Sequence, residues 1–254
     1  MINKNYLLQL DTLLRRGYPA DGAVYFLDTL RENGLPYLIL TEQNARTRDQ
    51  IASMMNDVGF HGVRPANIYT SVMAAVDWVL WKEPFRKTAA YLGGPGLRLT
   101  LEEVGMTIRH MDADVLFVGM NRNLGYRDYS EAVQIIHDGA ILISTDSRRI
   151  QRQEGAEFIG NGAVIKMLEY ASGMKAIDFG RGSIGLYNMA LRYMQVGPGD
   201  VVAVGTQFPK DIETARKIGI ETVYLTNGSS IMELGMDEEN HPDYIVEDLY
   251  GLTR

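Results

Sequence analysis

Asp11 and Thr41 each stand just beyond a short apolar run, Tyr6–Leu10 and Pro36–Leu40. A carboxylate in that place either caps the turn by accepting backbone N–H bonds or keeps a polar role toward a ligand. A hydroxyl there either solvates a loop or joins loop N–H groups in holding a phosphate. Several other chemistries are ruled out by residue type. The chain has no cysteine, which removes disulfides, thiolate zinc sites and cysteine nucleophiles. Its histidines, His61, His110, His137 and His241, lie far apart and show no i, i+4 pairing of the kind a zinc site uses. Gly160-Asn161-Gly162 is too short for a dinucleotide fingerprint, Gly93-Gly94-Pro95-Gly96 reads as a loop, and there is no G-x-S-x-G elbow.

Strands must bring such residues together. Tyr6–Leu10, Pro36–Leu40 and Ile68–Thr70 read as strands, and 11–22 as a loop. Helices at 22–33, 49–58 and 71–81 separate or follow them, with Gly34 and Gly59 as stop signals. Strands reappear at 88–92, 115–118 and 140–144, with helices near 101–106 and 129–137. The last third returns to the first pattern, with strands at 176–179, 201–204, 222–225 and 243–246 and helices at 184–194 and 211–218. Such alternation predicts βαβ units and a parallel sheet. The middle, 82–175, reads as an inserted smaller α/β cap, flanked by a discontinuous core of 1–81 and 176–254. Ligands of open parallel sheets bind at the carboxyl ends of strands. That rule places 9–12, 41–44 and 205–211 along one crevice edge.

Composition narrows the partners. The 254 residues are 46% hydrophobic and 22% charged, with net charge −7. No Lys/Arg-rich run offers a stripe for a nucleic-acid backbone, no apolar run approaches the ~18 residues of a membrane helix, and residues 1–10 do not read as a signal peptide. A soluble, cytoplasmic protein with neither nucleic-acid nor membrane partner is expected.

Six segments then point one way. Tyr6–Gly17 resembles the first motif of NagD-like phosphatases of the haloacid dehalogenase superfamily, a strand followed by D-x-D-G-T/V-L. Leu38–Thr47 resembles L-T-N-N-S-x-R-T, and Leu116–Arg122 with Tyr126 resembles V-V-G-x-D-R…Y. Glu154-Gly155 with 160–163 is similar to E-G…G-x-G-A, 179–183 to the G-K-P-S segment, and 204–212 to V-G-D-x-x-x-T-D-I. The order and spacing hold across most of the chain. The resemblance implies a Rossmann-like, haloacid dehalogenase-type parallel-sheet core with an α/β cap.

Family chemistry uses a nucleophilic carboxylate, a second carboxylate two residues on as acid and base, Mg²⁺ on oxygen ligands, and a lysine with a hydroxyl on the phosphate. By resemblance Gln9 stands at the nucleophile position, Asp11 at the acid/base position, and Thr41, with Glu42 beside it, at the phosphate-binding position. Arg181 replaces the lysine. Thr206 replaces a metal-ligating Asp, while Asp211, associated with the metal's outer shell, is retained. Thr12 stands where a Gly is usual, and Thr145-Asp146-Ser147-Arg148 replaces T-N-P-D, turning an acid at 148 into a base. Nucleophile and metal positions are neutral together. No cofactor is therefore expected, Mg²⁺ belonging only to residual family-type activity. The resulting expectation is a catalytically impaired phosphatase-fold protein that binds phosphate or a phosphorylated small molecule, or acts in regulation. Two alternatives stand beside it: a hydrolase with weak or altered activity working through Asp11, and a structural scaffold. Self-association as a homodimer is implied by the resemblance alone.

Overall fold

The computed structural model describes residues 2–153, 155–228 and 241–253. Glu154, half of the Glu154-Gly155 pair, lies outside them. The chain divides into two compact units, one made of residues 1–41, 48–69 and 190–254 and the other of 42–47 and 70–189. The second unit takes in residues on both sides of the 82–175 segment, together with the short piece 42–47.

In chain order the elements begin with β1 (Asn5–Gln9), α1 (Leu10–Leu13), β2 (Leu14–Arg15), β3 (Tyr18–Pro19), α2 (Ala23–Glu32), β4 (Tyr37–Thr41), α3 (Arg48–Asp57), β5 (Ile68–Thr70) and α4 (Ser71–Lys82). The middle holds β6 (Thr88–Leu92), α5 (Pro95–Glu103), β7 (Thr107–Ile108), β8 (Val115–Val118), α6 (Tyr126–His137), β9 (Ile141–Ser144), β10 (Ile150–Gln153), β11 (Ala156–Ile159) and α7 (Asn161–Ser172). The remainder is β12 (Ile177–Asp178), α8 (Ile184–Met194), β13 (Val201–Gly205), α9 (Thr214–Lys217), β14 (Glu221–Leu225) and β15 (Tyr244–Val246).

The first unit is built on a six-stranded sheet in the order β15-β14-β13-β1-β4-β5. β1 runs parallel to β4 and to β13, with Leu8 opposite both Ile39 and Val204. Every residue of β4 and β13 is buried, as an apolar run should be when a parallel sheet is covered on both faces. α2 turns Ala23, Phe26, Leu27 and Leu30 inward, the helical period of one apolar stripe. These join Tyr6, Leu8 and Ile39 in one core, where the Tyr6 and Phe26 rings meet edge-on at 5.4 Å. Burying each such side chain contributes on the order of 1.5–3 kcal/mol. Burial also pushes the Tyr6 phenol up to about 12.

The stretch 11–22, expected as a loop, instead holds the single turn α1 and the antiparallel ribbon β2–β3. Arg16 and Gly17 at its tip both have positive φ, 52° and 86°, as tight two-residue hairpin turns require. The helix expected at 211–218 is also different: a π-turn, Phe208–Glu213, precedes the short α9.

The second unit carries a five-stranded sheet in the order β12-β9-β8-β6-β7, parallel throughout. Ala132, Ile135 and Ile136 of α6 and Ile165 and Leu168 of α7 pack with Leu116, Val118 and Leu142 of the sheet. α5 starts earlier than the sequence suggests, because Pro95 occupies the first helical turn and loses no hydrogen bond there. β10 and β11 form a separate antiparallel hairpin.

Both sheets reverse direction of winding once. In the first, β4 is added on one side of β1, while β14 and β15 are added beyond β13, so the switch lies between β1 and β13. In the second, β7 lies on one side of β6, and β9 and β12 lie beyond β8, so the switch lies between β6 and β8. Ligands of open parallel sheets bind outside the carboxyl ends of such strand pairs. Among the described residues, no helix is long and apolar enough to cross a membrane.

Candidate functional site

In the first unit the switch gathers the residues singled out in sequence. Gln9 is the last residue of β1 and is 3% exposed. The chain then turns at once into α1, and Thr12 closes that turn by donating its hydroxyl to the Gln9 carbonyl at 2.7 Å. A side-chain hydroxyl does here what a flexible glycine would otherwise permit. Asp11, carried by the same turn, accepts a hydrogen bond from Thr206 Oγ1 at 3.1 Å. Thr206 directly follows β13, so this bond spans the switch between β1 and β13.

Asp211 is almost fully buried. Its Oδ2 accepts the backbone N–H of Thr206 at 3.0 Å and of Gln207 at 2.9 Å. The Asp211 N–H donates back to the Gln207 carbonyl at 2.8 Å, so the carboxylate and its own backbone staple the start of the π-turn. Packing leaves no room for a side chain on the strand below. A Cβ at Gly205 would lie 2.2 Å from the Asp211 Cβ. Phe208 and Ile212 from the turn pack against Tyr224, whose phenol is raised by burial and then by the nearby Asp211 charge. Thr41 ends β4 and is buried. The switch thus gathers one amide, the three threonine hydroxyls of Thr12, Thr41 and Thr206, and two carboxylates, one carboxylate turned onto backbone N–H groups and the other onto a hydroxyl. Among the described residues, no three His, Asp or Glu side chains are grouped to hold a metal ion.

In the second unit Glu42, Asp146, Arg148 and Arg181 form one cluster. Asp146 follows β9 by two residues and is fully buried. Arg148 donates to Asp146 Oδ1 from its backbone N and from Nε, each at 3.0 Å, and also from Nη2 to Oδ2. Arg148 Nε lies 2.8 Å from Glu42 Oε1. The other Glu42 oxygen accepts the Arg181 N–H at 3.2 Å, so Glu42 links the two arginines. Burial alone would lower the Arg148 pKa; the hydrogen bond and charge of Asp146 and the charge of Glu42 outweigh it and leave the guanidinium above its ordinary value. Arg148, expected as a base that contacts ligand, therefore has its charge matched by two carboxylates. Asp146 was not singled out from sequence. The signal was the acid–x–base spacing of Asp146 and Arg148, which lets one strand-end residue grip the next but one.

The second switch, between β6 and β8, is also crossed by a side chain. Asn121 Nδ2 donates to the Gly93 carbonyl at 2.9 Å. Asn44 fills the same end of the sheet: its carbonyl accepts the Leu97 N–H at 3.0 Å and its Nδ2 donates to the Met120 carbonyl at 3.3 Å. A Cβ at Gly119, just past β8, would lie 2.2 Å from that Nδ2. The Gly93–Gly96 segment, read in sequence as a loop, is the wall of this filled crevice. Asn161 completes the packing by donating to the Asp146 carbonyl at 2.7 Å; Asn44, Asn121 and Asn161 had no sequence motif that marked them as structural.

Comparison with known proteins gives a consistent picture. The profile of the family described as haloacid dehalogenase-like hydrolase matches residues 9–107, and a second profile of the same kind matches residues 179–252; together they span more than half of the chain. An acid sugar phosphatase of Staphylococcus haemolyticus is 26% identical over 248 residues, covering 97% of this chain and 94% of the relative. Among solved structures, NagD from E. coli K-12 is 27% identical with a TM-score of 0.87, covering 98% of each chain. A double mutant of the thermostable NPPase from Geobacillus stearothermophilus is 26% identical with a TM-score of 0.86, again covering 98% of each chain.

Proposed function

We infer that this chain, which belongs to the haloacid dehalogenase superfamily as a NagD-like member, is a catalytically impaired relative of the phosphatases that binds a phosphorylated small molecule or acts in regulation. The observation that carries this reading is the hydrogen bond from Thr206 Oγ1 to Asp11 Oδ2 at 3.1 Å. By resemblance, position 9 is the nucleophile, position 11 the acid and base, and position 206 a metal ligand. Gln9 offers a neutral amide oxygen, which is a poor nucleophile. Thr206 offers a hydroxyl that donates to the one remaining catalytic-type carboxylate. Asp211 is committed to two backbone N–H groups. A hard divalent cation prefers charged oxygen ligands, and this donor set does not fit one, so no step is assigned to a metal.

A phosphorylated ligand fits the neutralised positions better than it would fit the carboxylates they replace. A phosphate dianion is repelled by a carboxylate at position 9 or 206 unless a cation offsets it; the amide and hydroxyl remove that repulsion. In the first unit Thr41 and the Gln9 amide are the proposed phosphate contacts. In the second unit Arg181 is the proposed anion-binding group, while Arg148 is held by Asp146 and Glu42. The name acid sugar phosphatase carried by the staphylococcal relatives makes a sugar phosphate the first ligand class to try.

The test is an aryl phosphatase assay with and without Mg²⁺, run beside the Gln9→Asp/Thr206→Asp double variant, together with calorimetric titration of a hexose phosphate. Turnover at the buffer rate, Mg²⁺-dependent activity in the double variant and measurable sugar-phosphate binding are the expected results. Fast turnover by the natural chain would mean that the reaction runs through another nucleophile and would end this reading.

A further inference from the structure

We propose that the second unit carries a binding site of its own for a small amphipathic anion, an aromatic or long aliphatic carboxylate. The site is the concavity between the loop after β8, the β10–β11 hairpin and the start of α7, with a volume of about 710 Å³. Small-molecule sites span roughly 300–1,000 Å³ and are mostly apolar with a few placed polar groups.

The lining has that character. Met120, Phe158, Ile159, Val164 and Met167 face the space. Phe158 is 42% exposed, Ile159 72% and Met167 44%. Single exposed apolar residues need no explanation, but several gathered around one hollow mark a contact surface. The two methionines are flexible and polarisable and mould to flat apolar bodies.

Charge identifies the polar end of the ligand. Arg122 lies at the rim with its guanidinium 4.4 Å from the centre of the Phe158 ring. Among the described residues no carboxylate pairs with it. Glu157, the acid that lines the same hollow, is already engaged by Arg152 at 2.8 Å. Among the described residues, Arg122 is thus the unmatched positive charge of the hollow. Contact with the Phe158 ring restrains the planar guanidinium, whose fork of N–H donors can take a planar carboxylate through two parallel hydrogen bonds. An apolar body attached to that carboxylate would lie against Phe158, Val164 and Met167. The position agrees with topology, because the loop 119–124 leaves the carboxyl end of β8 at the switch of this sheet. The crevice proper is filled by Asn44, which leaves this flank as the accessible part.

The experiment uses the full chain and two probes, 2-naphthoate and the neutral 2-naphthamide, titrated by isothermal calorimetry. One molecule of naphthoate is expected to bind per chain. Arg122→Gln should weaken naphthoate about tenfold, equivalent to about 1.4 kcal/mol, and leave naphthamide unchanged. Met167→Glu, at an exposed position, should weaken both probes. Three results would overturn the proposal: no saturable binding of either probe, equal effects of Arg122→Gln on both, or a hollow occupied by a second copy, seen as a concentration-dependent dimer in sedimentation that Met167→Glu dissolves.

Discussion

The two sheets share a winding pattern and treat their switch crevices in opposite ways. In the first unit the strand ends carry neutral polar side chains. Gln9 ends β1 and Thr206 follows β13, and a hydroxyl-to-carboxylate bond joins β1's turn to the residue after β13. In the second unit, charge has been added and then cancelled, with Arg148 set between Asp146 and Glu42. Both are bridged by a side-chain hydrogen bond, and in both a neighbour presses against a glycine, Gly205 at the end of β13 under Asp211 and Gly119 just past β8 under Asn44. The second crevice is further filled by residues of the chain itself. The contrast teaches that one topology can hold either an edge of neutral polar side chains or an edge packed with the chain's own residues. Which one it becomes depends on a few side chains at the strand ends.

The comparison is broken most forcefully by unpairing the buried charge. Arg148→Met leaves the fully buried Asp146 carboxyl without its charged partner, and stability by urea unfolding should fall by about 3–5 kcal/mol. Adding Asp146→Asn to that variant should return most of the loss; if it does not, the arginine stabilises by packing and the charge argument fails. The glycine pair gives the next effect. Gly205→Ala meets the Cβ of an Asp211 pinned by two N–H groups, whereas Gly119→Ala meets the movable end of an Asn44 side chain. Overpacking costs of roughly 1–3 kcal/mol are expected, with Gly205→Ala the worse of the two, and equal losses would deny that difference in rigidity. The smallest effect concerns a clasp used in both units: Thr88 and Asp114 exchange three side-chain hydrogen bonds in the second, and Thr222 and Asp243 do so in the first. The Thr88 N–H, followed by the Thr88 hydroxyl, holds the Asp114 carboxyl below its usual range despite opposing desolvation. A depressed carboxyl contributes stability that is full above the unfolded value, about pH 4, and is lost as pH falls through the folded one. Asp114→Asn should lower stability by under about 1 kcal/mol at neutral pH and flatten the acid limb of a melting-temperature profile. An unchanged acid limb would remove Asp114 from that account.

Much of this was legible in the residues. Ile68–Thr70, Thr88–Leu92, Val115–Val118 and Ile184–Met194 form as elements where pattern and stop signals place them, because buried parallel strands are nearly pure apolar runs and a long amphipathic helix repeats its stripe. The hairpin 150–159 escaped notice since most of its residues face solvent and no alternation marks it. α7 is hidden for a related reason: its start, Gly160-Asn161-Gly162, is weighed in sequence only as too short for a dinucleotide fingerprint, although Asn161 is buried. The short turn α1 and the π-turn are closed by local side-chain hydrogen bonds, between Thr12 and Gln9 and between Asp211 and the N–H groups of Thr206 and Gln207, and neither is long enough to show a helical period. For the site, Gln9, Asp11 and Thr206 fall at the first switch, as the rule for strand ends anticipates. Glu42 and Arg148 are found paired with each other, a fact that depends on partners about a hundred residues apart.

The segment 42–47 has a consequence for how the chain assembles. It lies between β4 and α3 in sequence, yet its packing partners are in the second unit, where Asn44 seats against Leu97 and Met120 and Glu42 against Arg148. The second unit is thus incomplete as a continuous stretch of polypeptide, and cutting out 70–189 would leave a slot at the ends of β6 and β8. Closing that slot joins residues far apart along the chain, which slows folding when such contacts dominate. During synthesis, 42–47 leaves the ribosome well before its slot exists. It must wait, polar and unclaimed, until β8 and β9 have been made, so the order of synthesis separates this hexapeptide in time from its partners.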